Sequence, residues 1–319
     1  MKWINQYTGI LRQIRWFHWL NNCFHLKYLK RNKAIYKQFG IKRSVTKSID
    51  SRILSRYVGD IKTFHPKGFA VKGKVSQLSD FPEAIQEAMK DWEQKGYLFL
   101  PGFLSPGEVS AINGAIEEGL KLDRLHYNYT GRKIFNAHQQ IASIDQVAKH
   151  PLLLKILEYI FQDDVIHFQS INFNKGSEQS AHSDSIHMTT LPLGYLAGVW
   201  VALEPIHENN GPLTYYPGTH QLPYILNADY GNSSNAFLLD GNANEKYEQK
   251  VKQVVETSGL KEVELRANPG DVFIWHANLL HGGAAIKDPK ATRKSMVFHY
   301  FAQSVLCFHE ISERPAVVK

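Results

Sequence analysis

Two residues of types that bind metal ions stand two positions apart, in the segment His182-Ser-Asp184. On an extended chain, side chains two positions apart point to the same side, so this imidazole and this carboxylate can reach one ion together. A third ligand must come from elsewhere in the fold. His281, which lies 97 residues after Asp184, is the best candidate, because the glycines at 282 and 283 let the backbone turn closely. Two imidazoles and one carboxylate on one face leave coordination positions open, as in non-haem Fe(II) oxygenases.

Spacing alone does not single out the third ligand, because the chain has 15 histidines. Four others compete with His281 for that place: His276, His220, His299 and His187. A closed structural zinc site is not expected, because such sites usually use thiolates and the chain has only two cysteines. A small residue in place of Asp184 would leave room for a halide on the iron, so the carboxylate favours hydroxylation over halogenation.

Arg293 lies 12 residues after His281 and opens a predicted strand that continues to Phe301. By the two-residue alternation of a strand, Arg293 and Ser295 share a face. A guanidinium group binds a carboxylate through two parallel hydrogen bonds, and a neighbouring hydroxyl can add a third. The pair therefore predicts a site for a dicarboxylate near the metal. The alternative is an exposed arginine on a surface strand.

The elements that must position these residues change character along the chain. Helices are predicted over about 83–94, 105–122 and 152–161, and the second begins with the capping box Ser105-Pro-Gly-Glu108. Later segments rich in β-branched and aromatic residues predict short strands at 165–173, 195–203, 213–216, 271–275 and 295–301. This order predicts a mainly β fold with supporting helices, an antiparallel double-sheet jelly roll. The polar stretch 221–262 is expected to be an inserted, lid-like segment.

The first quarter of the chain is strongly basic. Residues 1–74 hold 17 Lys and Arg against two acidic residues, whereas the remainder holds 20 against 28. Apolar residues in 9–39 recur at helical spacing, with basic residues off that stripe. Two interpretations stay open: a helix that contacts an anionic membrane surface or an acidic carrier, or a basic extension packed on its own catalytic domain. No nucleic-acid motif accompanies the charge, so nucleic-acid binding is not expected.

The overall composition limits the class of protein to which the chain can belong. Hydrophobic residues make up 43% of the 319 positions, enough for a sizeable core. No run of 18 apolar residues occurs, so no transmembrane segment is predicted. Two cysteines, Cys23 and Cys307, are too few for a disulfide framework and favour a reducing compartment. We expect a cytoplasmic protein, with contact at a membrane periphery as one option.

Taken together, these motifs resemble the phytanoyl-CoA dioxygenase family of Fe(II)- and 2-oxoglutarate-dependent oxygenases. The resemblance covers roughly residues 92–303 and includes Gln169 and Trp200 on the strands that flank the metal motif. Its ordered elements are the segment 96–109, His182-x-Asp184, Asn210-Gly-Pro-Leu with Pro217-Gly-Thr-His220, His281-Gly, and Arg293.

The resemblance implies a double-stranded β-helix of the cupin type over residues 81–319, with residues 1–80 as an extension that has no family counterpart. It implies Fe(II) held by the catalytic residues His182, Asp184 and His281, with 2-oxoglutarate and O2 as cosubstrates. Arg293 would bind the far carboxylate of 2-oxoglutarate, in a pocket lined by Ser295, Trp200 and Gln169. The implied reaction is hydroxylation of a small-molecule or lipid-like substrate with release of succinate and CO2.

Two other functions stay open at this point. A cupin-type metal enzyme that does not use 2-oxoglutarate would keep the metal ligands but would not need Arg293 on the same face. A non-catalytic protein that binds a membrane or an acidic partner through residues 1–74 would not need the metal ligands at all.

Overall fold

The computed structural model describes residues 13–66, 76–128 and 130–318. Its strands are β1 (Tyr97–Leu100), β2 (Lys133–Phe135), β3 (Val165–Phe173), β4 (Thr189–Leu191), β5 (Leu196–Ala202), β6 (Leu213–Tyr215), β7 (Val263–Glu264), β8 (Val272–His276), β9 (His281–Gly283), β10 (Ser295–Ala302), β11 (Leu306–His309) and β12 (Arg314–Pro315). Its α-helices are α1 (Arg15–Phe24), α2 (Leu26–Leu29), α3 (Arg31–Gln38), α4 (Ser51–Val58), α5 (Glu83–Lys95), α6 (Pro106–Lys121), α7 (Ala142–Ala148), α8 (Pro151–Phe161) and α9 (Ala243–Ser258).

The strands form one large sheet and two small ones. The large sheet is antiparallel and has the order β1-β8-β5-β10-β3-β2. The small sheets have the orders β7-β6-β9 and β12-β11-β4, and an antiparallel bridge joins His182 to His281 beside them. The predicted double-sheet jelly roll with helical support is confirmed.

The large sheet has two differently used faces. Side chains on its outer face, such as Val199, Ile274 and Phe298, are fully buried in a core that includes Ile112 of α6 and Ile144 of α7. The alternate residues point toward the small sheets. One face thus supplies the main hydrophobic core, and the other is available for a site.

The predicted helices and strands of the catalytic part have close counterparts. The capping box is present, with the Ser105 side chain accepting from the Glu108 amide and α6 ending at Lys121. The helix predicted to stop at Gly96 does so, because Gly96 adopts the left-handed conformation with φ of 82°. The basic extension includes a further eight-residue helix, α4, before the catalytic part begins.

The apolar stripe of residues 9–39 is divided among three short helices rather than one, and Ile10 lies outside the described residues. The later part of the stripe, with Leu29 and Ile35, is buried together with Leu54 of α4 against Leu306 and Phe308 of β11. This part of the basic extension is therefore packed on the jelly roll. Among the described residues, no helix is both long enough and apolar enough to cross a membrane.

Candidate metal centre

A row of four residues crosses the inner face of the large sheet. The strand register aligns Trp275 of β8 with Gly198 of β5, Gly198 with His299 of β10, and His299 with Gln169 of β3. All except the glycine line the same cavity. The predicted pocket residue Gln169 therefore lies in the same row as two rings that approach Asp184.

The three predicted metal ligands meet opposite this row. One side-chain donor atom from each of His182, Asp184 and His281 lies within 4.8 Å of the other two. Backbone hydrogen bonds of 2.9 Å run both ways between His182 and His281 and align the two segments. Residues far apart in the chain are thus brought together by local strand pairing.

Each histidine is oriented by its own backbone neighbourhood. Nδ1 of His182 lies 2.9 Å from the Ser180 carbonyl oxygen, and Nδ1 of His281 lies 3.0 Å from that of Leu279. Because a carbonyl oxygen only accepts, each Nδ1 carries the proton and each Nε2 presents a lone pair, which in His182 accepts from the Gln179 side-chain amide at 3.3 Å. Burial and the neighbouring His281 lower the pKa of His182 well below its usual range. Imidazoles of this tautomer suit a divalent cation.

The Asp184 carboxylate is held from one side by an indole. Trp275 Nε1 donates to Oδ2 at 2.7 Å, while Oδ1 lies 3.7 Å from His281 Nε2. Burial by itself would raise the pKa of Asp184, but the imidazoles of His281 and His299 hold it well below its usual range. The carboxyl group is therefore ionised, with one oxygen fixed and the other directed at the histidines.

Two glycines make room for this arrangement. A Cβ on Gly198 would lie 2.4 Å from the Trp275 ring, so only a glycine lets the indole lie flat across β5. A Cβ on Gly282 would lie 2.7 Å from the Gln179 carbonyl oxygen, so the backbone after His281 can pass close to the segment before His182. Gly198 was not singled out by the sequence, because its role depends on the register of β5 against β8.

Arg293 is 2% exposed and lies on the wall of the same cavity. Its Nη1 donates to Ser295 Oγ at 3.1 Å, and its guanidinium carbon lies 5.5 Å from the centre of the Phe173 ring. Its Nε has no hydrogen-bond partner, and no acidic side chain of the described residues forms an ion pair with it. Burial lowers the pKa of Arg293 to about 10, so the group still carries its charge at neutral pH. A buried, unpaired cation of this kind calls for an anion.

The cavity has a volume of about 540 Å³ and lies between the large sheet and the small ones. Among the described residues it brings together six of the predicted site residues: His182, Asp184, His281, Arg293, Trp200 and Gln169. Ser295 is fully buried behind the wall and reaches the site only through its hydrogen bond to Arg293. The Trp200 indole N–H is buried without a partner and is a second donor that a ligand could use.

The four histidines that compete with His281 for the third ligand position lie elsewhere in the structure. His276, the alternative third ligand, points to the opposite side of β8, where its ring packs on Trp92 and His220. His299 Nε2 lies 3.6 Å from Asp184 Oδ2, and His187 packs edge-on against the ring of His182. His299 and His187 line the cavity as neighbours of the donor set, and His276 and His220 do not line it.

Two residues of the site were missed from the sequence. Trp275 stands in a predicted strand. It contacts Asp184, which lies 91 positions earlier in the chain, only because the fold brings the two residues together. Lys133 lines the cavity from β2, with its ammonium nitrogen 5.5 Å from the Phe173 ring, the ring that Arg293 also approaches. Burial lowers the pKa of Lys133. β2 has three residues, too few for a recognisable strand pattern.

A jelly-roll core with an inward-facing His-Asp-His set and a buried arginine in one cavity defines a metal-dependent oxygenase. The family model "Phytanoyl-CoA dioxygenase (PhyH)" matches residues 92–295. The peroxisomal phytanoyl-CoA dioxygenase of Bos taurus is 22% identical over 76% of this chain and 74% of its own length. The chain belongs to the phytanoyl-CoA dioxygenase family and is an Fe(II)- and 2-oxoglutarate-dependent dioxygenase.

Solved structures share the fold at low sequence identity. EctD from S. alaskensis in its apoform superposes with a TM-score of 0.58 at 21% identity, covering 76% of this chain and 86% of EctD. The carbocyclase SnoK from nogalamycin biosynthesis, described as non-heme and alpha ketoglutarate dependent, gives 0.57 at 18% identity, covering 77% and 91%. These likenesses show a shared fold.

Proposed function

We propose that this protein hydroxylates an apolar small molecule or lipid-like compound that carries an acidic group. In this proposal His182, Asp184 and His281 hold Fe(II), and Arg293 binds the distal carboxylate of 2-oxoglutarate. The observation that carries the proposal is the buried Arg293, which has no acidic partner among the described residues and lies in the cavity of the three ligands. It supports a 2-oxoglutarate enzyme over a cupin-type enzyme without that cosubstrate, which would have no use for the arginine there.

The donor set suits the metal. Two imidazole Nε2 lone pairs and one ionised carboxylate are the protein ligands that non-haem Fe(II) takes while keeping positions for other ligands. When bound, the iron would activate O2, with one oxygen atom going to succinate as 2-oxoglutarate loses CO2 and the other going to the substrate.

The protein's own side chains position the ligands and the cosubstrate. Trp275 holds Asp184 so that one carboxylate oxygen faces the histidines. Arg293, with Ser295 beside it, fixes the direction in which the cosubstrate lies. The aromatic ring of Phe173 covers the guanidinium and excludes water from that contact. These residues bind and orient; none of them has to accept a proton for the cosubstrate to be held.

The cavity lining supports the substrate class. Apolar side chains form part of its walls: Phe135, Ile171, Met188, Leu213, Val297 and Ile311. Asp184 is its one acidic residue among those described, whereas Lys133 and Arg314 add positive charge besides Arg293. With Arg293 assigned to the cosubstrate, Lys133 and Arg314 can receive a carboxylate or phosphate of an otherwise apolar substrate.

We also propose that the catalytic domain begins near residue 81, that residues 1–80 form an added extension, and that 221–262 is an insertion which covers the site. The family match, over 92–295, supports the first two points. Helix α9 supports the third, because the Tyr247 hydroxyl accepts from the amide of Ser183, between two predicted ligands, at 2.9 Å.

Anaerobic reconstitution with Fe(II), followed by 2-oxoglutarate titration and a succinate-release screen, tests the proposal. The screen should compare acyl thioesters, free long-chain acids and matched neutral esters, and mass spectrometry should detect a product gaining one oxygen atom. We expect acidic compounds to stimulate succinate release. Failure of the Fe(II) protein to bind 2-oxoglutarate would remove Arg293 from its role, and preference for neutral esters would contradict the substrate class.

Asp184→Ala removes one of the three ligands and should lower succinate release by at least about a thousandfold. His276→Gln is the matched control, since it alters the alternative ligand on the opposite side of β8. That variant should bind Fe(II) as the unaltered protein does. If His276→Gln loses the metal and Asp184→Ala keeps it, the assignment of the donor set is wrong.

A further inference from the structure

Helix α1 is attached to the protein by its polar side. Asn22 is buried and donates to the Thr46 carbonyl at 2.9 Å, and Arg15 forms an ion pair with the buried Glu313. Arg15 and Asn22 fall on one side of the helix at its 3.6-residue period.

The apolar side of α1 faces outward. Trp16 is 58% exposed and Phe24 is 83% exposed, with Phe17 and Trp19 also exposed between them. This orientation is the reverse of a normal surface helix, which buries its apolar stripe against the core. The four large aromatic side chains of this short helix form a patch that the described residues leave uncovered.

A second segment extends the same patch. The amide of Arg15 donates to the Phe237 carbonyl at 3.0 Å, and Ile14 forms a bridge with Leu238. Phe237 is 79% exposed and Leu238 is exposed as well. Two segments far apart in the chain therefore present aromatic and apolar side chains side by side. Contiguous exposed apolar surface of this kind marks an interaction site.

The segment that follows α1 in the sequence is basic, and its charge specifies the partner. Lysines 27, 30, 33 and 37 follow directly on α2 and α3 and are exposed, and within the described residues none of them forms an ion pair with an acidic side chain. The undescribed positions 1–12 and 67–75 contain no acidic residue in their sequence. Tryptophan and phenylalanine beside lysine is the composition of helices that lie in the interface of an anionic membrane.

We propose that the outward side of α1, together with Phe237 and Leu238, is a docking surface for an anionic lipid bilayer. The opposite, polar side of α1 lies against the cavity wall, because Arg15 pairs with Glu313 while the neighbouring Ser312 and Arg314 line the cavity. Docking would therefore bring the cavity wall next to the membrane. This inference does not depend on the reaction proposed above, since it concerns only where the folded protein binds.

Vesicle co-sedimentation of the full chain tests the inference. We expect binding to phosphatidylcholine vesicles that contain about 30 mol% phosphatidylserine, and at least about tenfold weaker binding to pure phosphatidylcholine vesicles. Raising the salt to about 0.5 M should weaken binding by screening the lysines. The triple variant Trp16→Ala, Trp19→Ala, Phe24→Ala should lose about tenfold or more.

Leu122→Ala is the matched control, because Leu122 is an exposed apolar residue at the end of α6, outside the patch. It should bind vesicles as the unaltered protein does. Equal binding of the triple variant would overturn the inference. So would a stable dimer in size-exclusion chromatography that becomes a monomer in the triple variant while vesicles are not bound, since a second copy would then occupy the patch. Both measurements use folded protein without iron or substrate, so failure of the proposed reaction would leave their outcome unchanged.

Discussion

Two clusters of buried polar side chains lie on either side of β11. They differ in whether their polar atoms have hydrogen-bond partners. The cavity cluster, comprising His182, Asp184, His281, Arg293 and Trp200, keeps donors without partners at Arg293 Nε and Trp200 Nε1. The extension cluster, comprising Asp50, Ser51, Arg52, Asn227, Glu310 and Glu313, has a donor for every carboxylate oxygen. Both clusters bury charged groups, but only the extension cluster has a hydrogen-bond partner for each of its carboxylate oxygens.

The extension cluster joins the N-terminal segment to the jelly roll. Glu310 accepts from the amides of Ser51 and Asn227 at 2.9 and 2.8 Å. Arg52 bridges Asp50 and Glu313, each at 2.7 Å. Since breaking a buried pair leaves an uncompensated charge, such a network specifies how two segments fit.

Buried charge therefore indicates function only where a partner is missing. A buried polar group without a partner costs about 1–3 kcal/mol, so a chain that retains several in one cavity has another use for them. Substitutions in the cavity cluster should change ligand binding and leave folding nearly unaltered. Substitutions in the extension cluster should do the reverse.

Among the further substitutions that test this comparison, Arg293→Ala should have the largest effect, and it concerns the requirement for 2-oxoglutarate. Removing the guanidinium deletes a desolvated, charge-assisted contact, so the 2-oxoglutarate concentration needed for half-maximal succinate release should rise by about two orders of magnitude. Without its ligand the variant should resist urea at least as well as the unaltered protein, because an unpaired buried charge is gone.

Arg266→Ala is the control for that measurement, since Arg266 is an exposed arginine paired with Glu208. Its 2-oxoglutarate requirement should stay unchanged. A large loss of stability in Arg293→Ala, with an unaltered requirement, would show that the cavity cluster is structural and would break the comparison.

Trp275→Phe should have the next largest effect. The substitution removes the indole N–H that holds Asp184 Oδ2 but keeps an aromatic ring. Partners of metal ligands typically contribute about 10–100-fold to metal affinity, and we expect a loss in that range for Fe(II) measured by anaerobic titration. Trp92→Phe alters a tryptophan that packs on His276 outside the cavity and should leave the affinity unchanged. Equal losses in the two variants would point to general packing.

The smallest effect is expected for Glu310→Gln, and it concerns stability. Burial, and then Asp50, raise the pKa of Glu310 to about 7. The folded protein thus binds a proton that the unfolded chain releases near its ordinary pKa, and this group's contribution to stability falls as the pH rises from about 4.5 to 7. The amide introduced by the substitution cannot titrate, so the stability lost on substitution, about 1–3 kcal/mol at pH 5, should shrink toward pH 8.

Urea unfolding of both proteins at the two pH values measures that difference. Affinities for Fe(II) and 2-oxoglutarate should agree within about twofold, because the extension cluster does not contact the proposed ligands. A difference in unfolding free energy that grows with pH would contradict the assigned direction of the pKa shift.

The sequence predicted what depends on short-range geometry. The capping box at Ser105 is a property of one helix end and is present as predicted. The donor atoms of His182 and Asp184, which stands at the start of a short 3-10 helix, lie close together, and Arg293, two positions before β10 begins at Ser295, donates to that serine. The sequence alone could not decide whether His281 or His276 is the third ligand, because this depends on which side chains of β8 and β9 point into the cavity.

What the sequence did not predict depends on register and on long-range contact. Gly198 matters only because it lies opposite Trp275, and Lys133 reaches the cavity from a three-residue strand. The stripe of residues 9–39 gave no sign that its early part would turn outward and its later part inward. That division follows from which polar side chains find partners on the jelly roll and the segment beside it, as Asn22 does at Thr46.

The burial of β11 beneath the N-terminal segment has a practical consequence for protein production. A fragment trimmed to begin near residue 81 would keep the family match but would uncover Leu306 and Phe308, which are fully buried against that segment. It would also strip Glu310 of the Ser51 donors and leave its carboxylate at the edge of a new apolar surface. Such a fragment would be prone to aggregate, so the shortest well-behaved form of this enzyme should retain the basic extension.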